Sequence, residues 1–271
     1  MKAGKVWWWA VAIALAGAGV AYFALRDGQV VPPPAEPAVE LQPSLPLSQG
    51  EPGTVPPIRY PIEAVEPAAA EAPPAPALPA LDESDAVLAA SLGQTAGSDL
   101  LVLRNLIRRV VATVDNLPRE RVALRLSPLK PADGGLLVAG SGDDRVISEH
   151  NRGRYAPYVI FAETVDTGYL VALYTRFYPL FQQAYQELGY PDGYFNDRLV
   201  AVIDHLIAAP VHEGPIRVVQ PKVLYEFADP ALEGLSAGQK LMVRMGPDNA
   251  TRIKAKLREV RQRVAGGVPA D

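Results

Sequence analysis

The sequence predicts a mainly α domain of the α+β class, with a small antiparallel sheet or hairpin at one side, preceded by a transmembrane helix and a disordered linker. Three observations carry that expectation. Apolar residues recur at helical spacing along several segments between residues 84 and 264. Short stretches on either side of residue 140 and near residue 220 alternate as strands do. The first 80 residues divide into an uncharged run and a proline-dense one.

The uncharged run, WWWAVAIALAGAGVAYFAL, spans Trp7 to Leu25 and holds 19 residues. As a helix it measures roughly 28 Å, close to the thickness of a bilayer's hydrocarbon core. Lys2 and Lys5 precede it and Arg26 beside Asp27 follows, a bias that predicts a cytoplasmic N-terminus and an exported remainder. Small residues from Ala14 to Ala18 make a cleaved signal peptide the rival reading, but the apolar run continues to Leu25. Residues 1–26 are thus expected to be a single-pass anchor holding an exported domain. The chain contains no cysteine, which excludes disulfides, thiolate catalysis and Cys-ligated zinc.

Residues 27–80 are expected to be a linker. Residues 31–79 hold 15 of the chain's 27 prolines, a density that removes backbone donors and blocks helices and ladders. Seven acids from Asp27 to Glu71 face Arg59 alone. Fully extended in a polyproline-like form, Asp27 to Ala80 would reach roughly 170 Å. Most of it reads as a spacer, and PPIRYPIE, residues 56–63, has folding upon binding as its second reading.

Residues 81–265 form one domain, followed by a disordered tail over 266–271. Basic and acidic residues balance in the domain, so no nucleic acid is expected. Ser84 is a plausible cap for the first helix, and Ser98 for a second that runs to Pro118. VALRLSPLK alternates as an edge strand, and GLLVAGSGDDRVIS reads as a hairpin around Gly140 to Asp144, with its acids in the turn. A helix starts near Ser148, with Pro157 in its first turn or kinking it. Thr167 to Leu188 is the longest helix, with Leu170, Leu173, Tyr174, Phe177, Phe181, Ala184, Tyr185 and Leu188 toward the core and Gly189 at its end. Asp192 or Gly193 opens the next, which closes before Pro210. IRVVQPKVLYEF is the second strand region, Pro230 and Ser236 begin a short helix, and Pro247 opens the last one.

The candidate chemistry concentrates in YFNDRLVAVIDHL, residues 194–206. Asp197, Asp204 and His205 share that helix, Glu187 lies shortly before it, and eight of the eleven tyrosines fall between Tyr155 and Tyr194. A hydrolase would use Glu187, Asp197 or Asp204 as acid or base, with His205 beside them. Glycosidase carboxylates face one another across a cleft from separate elements, so two aspartates about 10 Å apart on one helix fit that chemistry poorly. The chain has neither HExxH nor any nucleotide-binding glycine loop, and no metal or other cofactor is expected. Candidate binding residues are Tyr185, Tyr190, Tyr194 and Asn196, with Lys254 and Arg258 on a C-terminal helix that carries six basic residues from Arg252 to Arg263 against Glu259.

RYAPYV, LYTRFYPLFQQAYQELGYPDGYFNDRLVAVIDHL and QPKVLYEFADPALEGLSAGQKLMVRMGPDN, followed by a basic helix, resemble the bacterial family catalogued as domain of unknown function number 3014. The resemblance covers nearly the whole domain and extends to the anchor and proline-rich stalk. It implies a Gram-negative source and inner-membrane attachment, and it implies no activity, ligand or catalytic residue. The expected role is non-catalytic binding or scaffolding of an envelope protein or the peptidoglycan wall. The alternative is an envelope hydrolase acting on cell-wall glycan.

Overall fold

A computed structural model describes residues 57–62, 77–92 and 97–266. The anchor, most of the linker and the extreme C-terminus lie outside the described residues. Among the described residues no helix is long and apolar enough to cross a membrane.

Among the described residues eight α-helices dominate: α1 (Ser84–Leu92), α2 (Leu106–Asn116), α3 (Asn151–Thr164), α4 (Thr167–Glu187), α5 (Phe195–Ile207), α6 (Pro230–Glu233), α7 (Ala237–Arg244) and α8 (Pro247–Val264). Strands β1 (Val138–Ala139) and β2 (Val146–Ile147) pair antiparallel, as do β3 (Val218–Val219) and β4 (Glu226–Phe227). The hairpin expected around residues 140–144 is therefore present. Gly140 at φ +83° has no room for a side chain, since a Cβ would lie 2.5 Å from the Asp144 carbonyl oxygen. The two hairpins join through Val146 and Arg217, with Val218 donating to the Arg145 carbonyl at 2.9 Å.

Helix α8 packs one face on α3, α4, α5 and α7, while α2 closes the other side of α4 and α5. Each contributes an apolar face, and Phe177, Tyr185, Phe195, Leu199, Ile203, Met242 and Leu257 are buried in one continuous core. A second, smaller cluster of Ile216, Val218, Phe227, Leu232 and Val243 lies beneath the hairpins. Gly238 lets α7 approach α2: its amide donates to the Leu117 carbonyl at 2.9 Å, and a Cβ there would sit 2.6 Å from Leu206 Cδ2.

Four expectations need correction. The segment from Ser98 does not run as one helix. Residues Ser98–Leu100 make a single 3₁₀ turn, Leu101 bridges Leu129, and α2 begins only at Leu106. The remote carboxylate of Asp85 fixes that start, accepting from the amides of Asn105 at 2.5 Å and Leu106 at 3.0 Å, so an acceptor from α1 replaces the local cap. VALRLSPLK is not a strand but a 3₁₀ turn at Leu124–Leu126 followed by that bridge. Ser84 does not cap α1, because its hydroxyl donates backward to the Leu81 carbonyl at 2.7 Å. Leu188 is 40% exposed rather than part of the core stripe. Pro157 and Pro179 both sit on the exposed faces of unbroken helices, where packing of the opposite, buried face outweighs one missing hydrogen bond.

Candidate functional site

The first turn of α5 is built unusually. Its N-cap residue, Tyr194, makes no side-chain bond to its own helix, so the orphan amides need outside acceptors. Helix α4 supplies them. Gln182 Oε1 accepts from the Phe195 amide at 2.9 Å, and the Tyr178 hydroxyl accepts from the Asn196 amide at 3.3 Å. Gln182 also donates to the Gly193 carbonyl at 2.6 Å. With the helix end satisfied by α4, the side chains of Tyr194, Asn196 and Asp197 are left to bind something else.

What they bind is a piece of the linker. Residues 57–62 lie against the start of α5, bent at Arg59–Tyr60 so that successive amides converge. The Asp197 carboxylate accepts both, from Arg59 at 2.9 Å and from Tyr60 at 2.8 Å. The Tyr194 hydroxyl accepts from the Ile62 amide at 2.7 Å, and Asn196 Nδ2 donates to the Tyr60 carbonyl at 2.8 Å. Between these anchors stands Pro61, which has no amide to satisfy. Tyr60 and Ile62 pack against the main core, while Ile58, Arg59 and Pro61 stay exposed. The linker is therefore not a uniform spacer: residues 57–62, within PPIRYPIE, touch the domain.

Asn196 is the hinge of the arrangement. It is fully buried and also donates to the Val264 carbonyl at 2.8 Å, while its own oxygen accepts from the Tyr174 hydroxyl at 3.1 Å. One side chain thus joins α4, α5, the end of α8 and the linker segment. Burial, first of all, raises the Tyr174 and Tyr178 phenols above their ordinary range; for Tyr178 the hydrogen bond with Tyr194 adds to it. Both remain neutral at physiological pH, and Asp197 supplies the negative charge that meets the segment's amides. Arg261 stands at the rim, its guanidinium held above its usual pKa chiefly by a hydrogen bond to Asp204, with Tyr60 contributing last.

The candidate catalytic residues are not brought together. Glu187 pairs with Arg108 of α2 and accepts from Gln183 at 2.9 Å. Asp204 is gripped bidentately by Arg261 of α8, one contact at 3.0 Å. Asp197 holds the linker segment. His205 Nε2 lies 2.7 Å from the Ser236 hydroxyl, which caps α7. Burial, and then Arg198, lower the His205 pKa. Among the described residues no group of three or more acidic or histidine side chains is placed to hold a metal ion.

The candidate binding residues divide. Tyr194 and Asn196 belong to the groove. Tyr185 is buried and stacks on Tyr190 with ring centroids 4.6 Å apart, so neither ring presents a free face there. Lys254 is buried and donates to the Ala209 carbonyl, its pKa lowered by desolvation. Arg258 is exposed. The basic helix is largely spent within the fold: Arg252 binds Glu163, Lys256 the Val165 carbonyl and Arg261 Asp204.

Sequence reading missed Asp115, a 2% exposed carboxylate held by Arg119 at 2.5 Å and Arg198 at 3.0 Å, and by the Tyr190 hydroxyl at 3.2 Å. The available signal was an aspartate on the apolar face of α2, next to Val111 and Val114. Tyr178 and Arg261 were also missed as groove residues, because nothing local marks Tyr178 as a cap for α5 or Arg261 as the partner of Asp204.

No curated protein and no solved structure matches the chain. The profile described as "Protein of unknown function (DUF3014)" matches residues 106–261, a span that contains α5 and every groove residue but not the docked segment, and the chain belongs to that family.

Proposed function

We propose that the protein is a membrane-tethered, non-catalytic binding module of the bacterial envelope, and that it captures a partner protein through the groove at the start of α5. The observation that carries this reading is the double acceptance by Asp197 of two successive backbone amides from a proline-flanked segment. A site that takes three amides, a carbonyl and two part-buried side chains recognises polypeptide rather than glycan. Backbone bonds supply the hold and the seats of Tyr60 and Ile62 supply selectivity. The separate engagement of Glu187, Asp197 and Asp204 supports binding over hydrolysis, since each carboxylate has a structural partner of its own. The tether and its inner-membrane orientation rest on the sequence pattern of residues 1–80.

The test empties the groove without touching the domain. In the full chain, Tyr60→Ala with Ile62→Ala removes the inserted side chains of the linker segment. A labelled peptide of residues 55–64 is expected to bind this variant saturably, and to lose binding when Asp197→Asn is added. Anisotropy that stays flat on the emptied chain would sink the reading.

A further inference from the structure

We infer that residues 57–62 are a resident, exchangeable occupant of the groove, so that capture of a partner releases the segment and lengthens the tether. This rests on the proposed recognition role of the same site.

The segment has the marks of a reversible ligand. Its hold consists of three amide bonds, one accepted bond, a contact of Tyr60 with Arg261 and two half-buried side chains, with Ile58, Arg59 and Pro61 facing water. That contact is small beside a stable interface. It is favoured because the segment is covalently close: only 14 residues separate Ile62 from Ala77, where the described chain resumes. Connections of that length give an effective concentration on the order of millimolar. A partner segment with the same chemistry must outcompete that local concentration. A single extra contact at the exposed positions would help it, because the resident segment leaves them unused.

Exchange has a geometric consequence. While residues 57–62 are docked, the chain between the expected anchor and the domain is the stretch from Asp27 to Pro57. In polyproline-like form this would span roughly 95 Å at most, against roughly 170 Å for Asp27 to Ala80 once the segment is free. Occupancy by a partner and reach from the membrane are therefore linked. The occupant that fits is a protein segment with an aliphatic–basic–tyrosine–proline–aliphatic order, able to present two successive amides to Asp197.

The chain has no cysteine, so a pair of spin labels can be placed cleanly at Pro57→Cys, at the exposed start of the segment, and Ala255→Cys on the exposed side of α8. In the full chain, the distance distribution is expected to be short and narrow, and to become long and broad in the Tyr60→Ala, Ile62→Ala variant and in Asp197→Asn. Millimolar peptide of residues 55–64 is expected to convert the first distribution into the second. Identical broad distributions in all three chains would overturn the inference by showing no docking in cis. A narrow distribution that excess peptide does not move, with the emptied variant still binding peptide, would also overturn it while leaving the recognition reading intact. If the emptied variant fails to bind as well, both fall.

Discussion

Arg198 of α5 reaches across to Asp115 of α2 and holds it twice, donating from Nε to the carboxylate at 3.1 Å and from Nη2 to the backbone oxygen of the same residue at 2.9 Å. Arg119 and Tyr190 complete the shell around a side chain that is 2% exposed. Two cations and a hydroxyl are thus organised around one buried anion.

Asp115→Ala removes the anion and leaves both guanidinium groups uncompensated, so it is expected to destabilise the fold by about 3–5 kcal/mol. Tyr190→Phe deletes the hydroxyl's donation to Asp115 and its acceptance from Arg119 at 3.3 Å, and should cost about 1–2 kcal/mol. Urea unfolding of the two variants checks the order. A loss below about 1 kcal/mol for Asp115→Ala would show that the cluster is not a buried charge centre.

Asp204 contrasts with it. Its carboxylate is 46% exposed and its partner Arg261 is 36% exposed, so solvent screens most of the attraction. Asp204→Asn is expected to cost less than about 1 kcal/mol, and less still in high salt. A larger penalty, insensitive to salt, would mean that this pair is part of the core. Peptide binding by the emptied groove should survive the change, because Asp204 touches none of the segment's amides.

The contrast also shows what the chain displays locally and what it conceals. Helices α3, α4, α5, α7 and α8 were legible because burial imposes a period on their apolar residues, and Ser236 and Pro247 mark their starts by chemistry that acts within one turn. The start of α2 was not, since its acceptor, Asp85, lies about twenty residues away and belongs to another helix. The groove was half legible. Tyr194, Asn196 and Asp197 stand out as a polar cluster opening a helix, and PPIRYPIE stands out in the linker. Nothing in either stretch says that they meet, because that pairing spans more than 130 positions and depends on how α4 has already satisfied the amides of α5. The same long range misled the reading of Lys254, which lies among the cationic residues Arg252, Lys256 and Arg258 but whose acceptor, Ala209, follows the end of α5.

His205 gives the fold a pH dependence of defined sign. Its folded pKa lies below the ordinary value of 6.5, first because of burial and then because of Arg198. The folded state therefore favours the neutral ring. The stability this contributes is fully present above about pH 6.5 and is lost as pH falls from there through the folded value. Protonation also makes Nε2 a donor toward the Ser236 hydroxyl, which already accepts from the Gln239 amide at 3.2 Å. The urea midpoint of the wild type should drop more between pH 7 and pH 5 than that of His205→Gln. Parallel pH profiles for the two proteins would assign the dependence to other groups.

The amides of Arg59 and Tyr60 should report the groove directly. Both donate to Asp197, although Arg59 itself is exposed, so their hydrogen exchange depends on the carboxylate rather than on burial. A hydrogen bond to a charged acceptor contributes about 1.5–3 kcal/mol, and Asp197→Ala is expected to cut protection at these two amides by about tenfold to a hundredfold. The amide of Ile62, held by Tyr194 instead, should lose protection in the same variant only if the segment leaves as a unit. Tyr194→Phe makes the reciprocal comparison, because it keeps the ring and deletes the acceptor. If each variant exposes only its own partner, the contacts act independently. If either variant exposes all three amides together, the segment docks as one cooperative element, as exchange with a competing partner requires.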